Sequence, residues 1–448
     1  MKKFSYKEYF VGKKITIMGL GLLGRGLGVA KFLAECGAEI IITDLKKEEE
    51  LKSSIKKLNK FKNIKYVLGE HRLDDFKDRD MVIKSAGVPL DSIFIAEAKK
   101  NGIPVEMDAS LFARLASGVK IIGVTGTRGK STVTHLIYEI LKNYSTRTFL
   151  GGNVKGTATL PLLKKAVAND IVVMELDSWQ LQGFGEAGIS PEIAVFTTFL
   201  PDHLNYYKGD MEKYFSDKAN IYRNQKEEDI LFMRPKVAKF IGEKDHQNIK
   251  GDSFIVDKKL IPKNWKIKLL GEHNLENIAL AIAVAMEVGV PEKIIKKTVE
   301  NFKGVPGRLE LVREVKGIKF YNDTTATTPD GVIAGMDSLK NFKGKIILIG
   351  GGADKNLEYK EYAEIVPKFV KNFILFSGVA TDKIKKEFEW RKKIFFTEVG
   401  NMKDALKNAL MYAKKGDVVL LSPGAASFGI FKNEFDRGEQ FDKLVSKI

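Results

Sequence analysis

The run VKIIGVTGTRGKSTVTHLIYEIL, residues 119–141, constrains the fold more than any other part of the chain. An apolar strand enters a glycine-rich turn and then, with no spacer, a helix with apolar residues at helical spacing. Such a turn gathers backbone N–H groups at a helix N-terminus, where they suit a phosphate. The amides from Gly126 through Thr127, Arg128 and Gly129 to Lys130 form the expected cradle. Lys130 would reach the terminal phosphate oxygens, and the hydroxyl of Ser131 or Thr132 would take Mg²⁺. The first glycine of the general G-x-x-x-x-G-K-[ST] pattern falls at Val124, so the match is carried by GTRGKST in its strand–turn–helix setting.

The same strand–turn–helix grammar recurs from end to end. KKITIMGLG, EIIITD, MVIKSAG, DIVVMELD, PEIAVFTTF, GIKFYND, GKIILIGGG, NFILFSG and DVVLLSPG are further short apolar runs set between helical patterns. This alternation predicts an α/β fold with parallel sheets covered on both faces. A chain of 448 residues is too long for one core. The βα series restarts before VKIIGVTG and again near FKGVPGRLE, which predicts three domains. They are a Rossmann-like domain over 1–108, a central P-loop ATPase-like domain with a parallel sheet over 109–304, and a C-terminal Rossmann-like domain over 305–448.

A second cradle precedes the first. GLGLLG follows the strand KKITIM and opens a helix, so Gly19, Gly21 and Gly24 fit G-x-G-x-x-G with a pyrophosphate at the helix N-terminus. Asp44, closing the next strand, stands where a ribose hydroxyl would be held. Glu175 ends the strand of DIVVMELD and is placed to hold Mg²⁺ beside the P-loop; as an isolated acid it would be read as a helix cap. Of five histidines, His203 follows the strand PEIAVFTTF at the end where α/β sheets place ligands, with Asp202 able to orient its ring. His71, His135 and His246 lack such a setting and are expected to be structural or exposed.

The basic excess of 17 charges suits nucleic acid or small polyanions equally. It is not gathered into a basic arm, and runs such as KKEEELKSSIKKLNK mix both signs as a solvated helix face does. The single Cys36 excludes an internal disulfide and a cysteine-built zinc site. The longest apolar run, Ile278 to Met286, is far short of the roughly 20 residues of a membrane span. The N-terminus has no apolar signal region. A soluble cytoplasmic protein without nucleic-acid or membrane partners is expected.

GTRGKST, ELDSWQL, PDHL, SDKANIY, GEHNLEN, PGRLE, NDTTATTP and SPGAASFGIFKNEFDRG, in this order and over nearly the whole chain, resemble the Mur ligase family of ATP-dependent peptidoglycan precursor ligases. GLGLLG and the C-terminal SPGAASFGIFKN are most similar to the members that add D-glutamate to UDP-N-acetylmuramoyl-L-alanine. The resemblance implies that the first cradle holds the uridine diphosphate of the substrate, which is not consumed, and the second binds ATP, which is. It implies transfer of the γ-phosphoryl group to a carboxylate, attack of an amine on the acyl phosphate, a monomer, and two Mg²⁺ ions. By the same resemblance Lys130 holds the β/γ-phosphates, Ser131 and Glu175 the first metal, and His203 and a carbamylated Lys218 the second. Asn274, Arg308 and Asp323 fall at adenine, phosphate and ribose. Leu22, Leu23, Asp44, Lys46, Asn153 and His203 fall on the UDP-substrate side, and Thr327, Lys355 and Ser427 at the incoming amino acid.

Several positions depart from the family pattern. Arg128 replaces a P-loop asparagine, Leu23 a residue that is often threonine, and Gly307 the histidine of PHR. Thr325 stands where a lysine is usual, and Glu434 with Phe435 reverses the order of an acid and an aromatic. The last two changes keep open a ligase for another amino acid or a modified nucleotide. An NAD-dependent oxidoreductase would explain GLGLLG and Asp44 but leaves GTRGKST, Glu175 and Lys218 without a task. A P-loop ATPase acting on nucleic acid would need the basic cluster that is missing. A non-catalytic scaffold has no need of Lys130, Glu175, His203 and Lys218.

Overall fold

Strands β1 (Lys14–Met18), β2 (Glu39–Asp44), β3 (Ile64–Leu68), β4 (Met81–Lys84) and β5 (Val105–Glu106) form an all-parallel sheet in the order β3-β2-β1-β4-β5. The computed structural model describes residues 5–22, 24–145, 147–154, 156–203, 206–389 and 395–448. A second parallel sheet is built from β6 (Lys120–Thr125), β7 (Thr148–Gly152), β8 (Ile171–Glu175), β9 (Ile193–Phe196), β10 (Ile230–Met233) and β11 (Asp252–Ile255). Its order is β11-β10-β9-β6-β8-β7. The third contains β12 (Glu310–Val315), β13 (Ile318–Asn322), β14 (Ile346–Gly351), β15 (Val370–Phe376), β16 (Phe396–Val399) and β17 (Val418–Leu421) in the order β12-β13-β17-β14-β15-β16. Only β12 is antiparallel there.

All ten apolar runs named from the sequence are strands. Their β-branched residues suit a pleated surface, and burial on both faces explains why they read as continuous rather than alternating apolar runs. Strand order reverses beside β1 in the first sheet and beside β6 in the second, and each reversal opens a crevice at the strands' C-terminal ends. The two glycine-rich turns leave from those two strands.

The chain packs as two units. One comprises Met1–Trp265 with Glu276–Val299, the other Lys266–Leu275 with Glu300–Ile448. The first unit therefore holds the first two sheets, and one of its apolar clusters takes residues from both. Leu111 and Phe112, both fully buried on the helix Asp108–Leu115, belong to the same core as Ile15 and Ile17 of β1 and Ile121 of β6. Burying each such side chain contributes about 2 kcal/mol. In the second unit, separate apolar clusters around Leu348 and Ile349 cover the two faces of the third sheet. No described helix is long and apolar enough to cross a membrane.

Candidate active site

The P-loop leaves β6 and enters the helix Lys130–Tyr144. Gly126 has φ +137° and Gly129 φ +90°, and a Cβ on Gly129 would stand 2.4 Å from Asn277 Oδ1. Only glycine fits there. Two amides expected in the cradle are engaged within the protein: Thr127 N–H donates to Thr198 O (2.7 Å) and Arg128 N–H to Thr198 Oγ1 (2.8 Å). The phosphate-facing donors accordingly shift towards Gly129 and the first turn of the helix, whose N–H groups lack acceptors inside the helix. Ser131 and Thr132 lie in that turn, both buried.

Lys130 Nζ folds back over the loop and donates to Gly126 O (2.9 Å) and Thr127 O (3.1 Å). Lys218 comes from the helix Met211–Ala219, is 1% exposed, and donates to the same Gly126 oxygen at 3.0 Å. Its Nζ also lies 4.8 Å from the centre of the Tyr214 ring. Burial, followed by the charge of Lys130, holds the Lys218 amine well below its usual range, against the opposing fields of Asp177, Asp202 and Asp217. A neutral amine in this place is the form that takes up CO₂.

His203 adopts a left-handed backbone, φ +52°, and its N–H donates to Asp202 Oδ1 (2.9 Å). Its ring packs 4.6 Å from Trp179. Partial burial lowers its basicity; Asp202 acts in the opposite sense, and Lys130 and Lys218 lower it further. Arg128 Nη1 stands 3.6 Å from Asp202 Oδ2. Glu175, 4% exposed at the end of β8, is in register with Val124 of β6 and Gly152 of β7. Its carbonyl accepts the N–H of Asn153 (2.6 Å). The fold thus brings Lys130, Lys218 and His203 together around the loop, with Glu175 at the end of β8 and Asn153 just past β7. Among the described residues no three His, Cys, Asp or Glu side chains converge as metal ligands. A metal here would depend on mixed donors: the Ser131 hydroxyl, the Glu175 carboxylate, the His203 imidazole and a carbamate on Lys218.

The first cradle is held from beneath. Gly19, Gly21 and Gly24 have φ of +99°, +62° and +86°. Asp44 is buried, and its two oxygens accept the N–H groups of Gly21 and Lys46, each at 2.9 Å. The acid expected at a ribose hydroxyl therefore also shapes the turn. Leu22 is exposed; Leu23 lies outside the described residues. His71, given no role from the sequence, has Nδ1 2.5 Å from Thr43 Oγ1, next to Asp44.

In the second unit the structure joins the residues expected at the amino acid. Lys355 Nζ donates to Thr327 Oγ1 at 2.8 Å, and the bridge Ala353↔Ala426 sets Lys355 and the buried Ser427 on neighbouring segments. Asp323 is buried at the end of β13, where it accepts from Ser422 Oγ (2.8 Å) and Leu309 N (3.1 Å). Burial pushes its carboxyl up to about 7. Arg308 is exposed nearby, and its charge opposes that rise. Asn274 donates its side-chain amide to Leu270 O (2.7 Å). Thr325, which departs from the family lysine, donates its hydroxyl to Gly307 O (3.0 Å) and so pins the PGR turn.

Three further groups were not singled out from the sequence. Asn277, buried one helical turn beyond Asn274, meets Gly129 and accepts from Arg234 Nη2 (2.5 Å). Asp177 caps the helix Ser178–Glu186 through Gln180 N–H (2.8 Å). Arg437 is fully buried and donates to Thr324 Oγ1, Thr324 O and Ala425 O. The signals were present as a second polar residue on an apolar helix, an acid two positions after Glu175, and the RG of FDRG.

Comparison with known proteins covers nearly the whole chain. Three family models match: a Mur ligase MurD-like N-terminal domain over residues 13–106, a Mur ligase middle domain over 124–285, and a Mur ligase glutamate ligase domain over 307–424. The UDP-N-acetylmuramoylalanine–D-glutamate ligase of Roseiflexus sp. (strain RS-1) is 38% identical over 98% of this chain and 99% of its own. That of Acetivibrio thermocellus is 36% identical over 99% and 98%. Among solved structures, the UDP-N-acetylmuramate-alanine ligase MurC of Thermotoga maritima superposes with a TM-score of 0.64 at 21% identity, over 97% of this chain and 99% of its own. The MurF ligase of the same organism, in complex with ADP, gives 0.59 at 20% identity over 98% and 97%. These two likenesses establish the shared fold.

Proposed function

The chain belongs to the Mur ligase family, and from that premise we propose that it uses ATP to join D-glutamate to UDP-N-acetylmuramoyl-L-alanine in peptidoglycan precursor synthesis. The observation that carries this reading is the pair of lysine amines, Lys130 and the buried Lys218, on the carbonyl of Gly126. A simple ATPase loop has no use for a buried second lysine; a ligase whose metal takes a lysine carbamate as a ligand has.

In the reaction the acceptor's terminal carboxylate oxygen attacks the γ-phosphorus, the bond to the β–γ bridging oxygen breaks, and ADP departs. The amine of D-glutamate then adds to the acyl carbon. The tetrahedral intermediate expels phosphate and loses a proton from nitrogen to leave the amide. Lys130 and the first-turn N–H groups hold phosphoryl oxygens, so positioning and charge neutralisation are the protein's main contributions. Mg²⁺ held by Ser131, Glu175, His203 and carbamylated Lys218 would neutralise further phosphoryl charge. Gly19, Gly21, Leu22, Gly24, Asp44, Lys46 and Asn153 hold the UDP-substrate. Asn274, Arg308 and Asp323 serve ATP, and Thr327, Lys355 and Ser427 the D-glutamate carboxylates. The division at 108 and 304, a monomeric state and a cytoplasmic location complete the proposal.

The test is phosphate release from ATP with Mg²⁺ and UDP-N-acetylmuramoyl-L-alanine across a panel of single amino acids, with the product weighed by mass spectrometry. Release that requires D-glutamate, with a product heavier by one glutamyl residue, is expected. Release with another amino acid would reassign the pocket around Lys355 and Ser427. No release with any would overturn the reading.

A further inference from the structure

Lys84 takes no part in the chemistry above, yet it lies between the two cradles. It closes β4 and is 3% exposed. The next residue, Ser85, abuts the first cradle: a Cβ on Gly19 would stand 2.3 Å from Ser85 Oγ. Lys84 Nζ donates to Val88 O at 3.0 Å, closing the stretch 85–88 on itself. The acidic groups around its ammonium, Asp177, Asp217 and Glu186, come from the elements that follow β8 and β9. Asp177 is two residues beyond Glu175, and Asp217 immediately precedes Lys218.

The surrounding contacts form a connected set. Asp217 Oδ2 accepts from Gln182 Nε2 (2.7 Å) and from the Tyr207 hydroxyl (2.8 Å). Gln182 Nε2 also donates to the Tyr206 hydroxyl (3.1 Å), and the backbone N–H of Leu90 faces that same hydroxyl. Lys208 Nζ is 3.7 Å from Asp91 Oδ2, an exposed pair of little energetic weight. The stretch 85–91 thus meets Lys84 through Val88 and Tyr206 through Leu90. Burial lowers the Lys84 amine to about 8, with the three carboxylates acting in the opposite sense. A buried ammonium is a poor choice for stability alone, since an apolar side chain of similar volume avoids its desolvation.

We propose that Lys84 is a positioning residue for the acceptor nucleotide, fixing the stretch 85–91 against the helices Ser178–Glu186 and Met211–Ala219 and so setting the span from the GLGLLG turn to the P-loop. The inference rests on the ligase reading above. An acceptor gripped at the first turn must deliver its carboxylate to the second, and a misplacement of about 1 Å there costs on the order of a hundredfold in rate.

The experiment uses the full chain with Lys84→Met, Lys84→Arg and Tyr206→Phe, beside the wild type. It measures kcat, the KM for each substrate, and the Kd of the UDP acceptor by calorimetry. For Lys84→Met the acceptor KM and Kd rise about tenfold and kcat falls about tenfold, while the KM for ATP stays within about twofold. Lys84→Arg restores kcat to within about threefold of wild type, and Tyr206→Phe moves the acceptor KM in the same direction. A merely structural role would lower the melting temperature and the active fraction and leave acceptor KM and Kd in place, which would overturn the inference. If Lys84→Met does not fold, an unchanged acceptor KM in Tyr206→Phe overturns it equally. A wild type without D-glutamate-dependent phosphate release overturns the ligase reading and this inference with it. An active wild type with unaltered variants overturns the inference alone.

Discussion

At Gly126 one carbonyl oxygen receives two lysine side chains, and both must approach a backbone that only glycine can form. A Cβ on Gly126 would lie 2.1 Å from Thr197 Oγ1, and one on Gly129 2.4 Å from Asn277 Oδ1. Gly129→Ala therefore combines a disfavoured φ with a buried clash, and a loss of about 2–4 kcal/mol is expected. It should read as a lowered urea midpoint together with loss of ATP binding by calorimetry. The second unit offers a titration. Burial raises the Asp323 carboxyl from 3.8 to about 7, so the folded chain binds this proton more tightly than the unfolded one. The associated stabilisation is complete below pH 3.8 and is lost as pH rises through 7. Asp323→Asn, which cannot ionise, should flatten this fall in melting temperature between about pH 4 and 7; an unaltered slope would contradict it. Glycine turns and the lysine of GTRGKST are legible because a backbone conformation or a phosphate permits few residue types. Asn277 and Arg437 were not, because what they do depends on partners more than 100 residues away, Gly129 and Thr324.

Among elements, the helix Asp108–Leu115 does the most to place the two cradles in one unit. Its fully buried Leu111 and Phe112 share the core with β1 and β6, and the Asp108 carboxylate accepts the N–H groups of Thr159 (2.8 Å) and Leu160 (2.7 Å). The same segment meets the helix after GLGLLG: a Cβ on Gly28 would stand 2.6 Å from Ala158 Cβ. Asp108→Ala leaves two buried donors without acceptors and is expected to cost about 2–4 kcal/mol. Phe112→Ala opens a cavity and is expected to cost about 3–5 kcal/mol. Both should appear as lower urea midpoints, and Asp108→Ala should also weaken binding of the UDP acceptor, because the contacted segment runs on from Asn153. The ten strands named from the sequence were readable because central parallel strands are apolar on both faces. β11 was not: all four of its residues, Asp252 to Ile255, are exposed, so no burial pattern marks it. β12, the antiparallel edge, mixes three charged residues with three apolar ones and gives no continuous run.

On the scale of the whole molecule, the order of motifs along the chain made the three-sheet α/β architecture legible, since each phosphate turn must follow a central strand. The change of compact unit within one helix was not, because the helix Glu272–Glu287 passes from one unit to the other between Leu275 and Glu276 and leaves no break in its pattern. The excess of 17 positive charges acquires a use at this scale. Both nucleotide substrates and D-glutamate are anions, and a diffuse positive field raises their local concentration without forming a site. Such a field is screened over about 10 Å at 0.1 M salt, whereas the partly buried contacts of Lys130 and the buried one of Lys218 are screened far less. Raising salt from about 50 to about 300 mM should therefore increase the KM for the UDP acceptor roughly three- to tenfold and alter kcat by less than about twofold. Duplex DNA should neither stimulate phosphate release nor compete with the acceptor. Stimulation by DNA, lost steeply with salt, would instead return the charge to a nucleic-acid surface. A kcat that fell with salt as fast as KM rose would mean that the long-range field acts on the chemical step itself, where our proposed mechanism places Lys130 and the turn around Gly129.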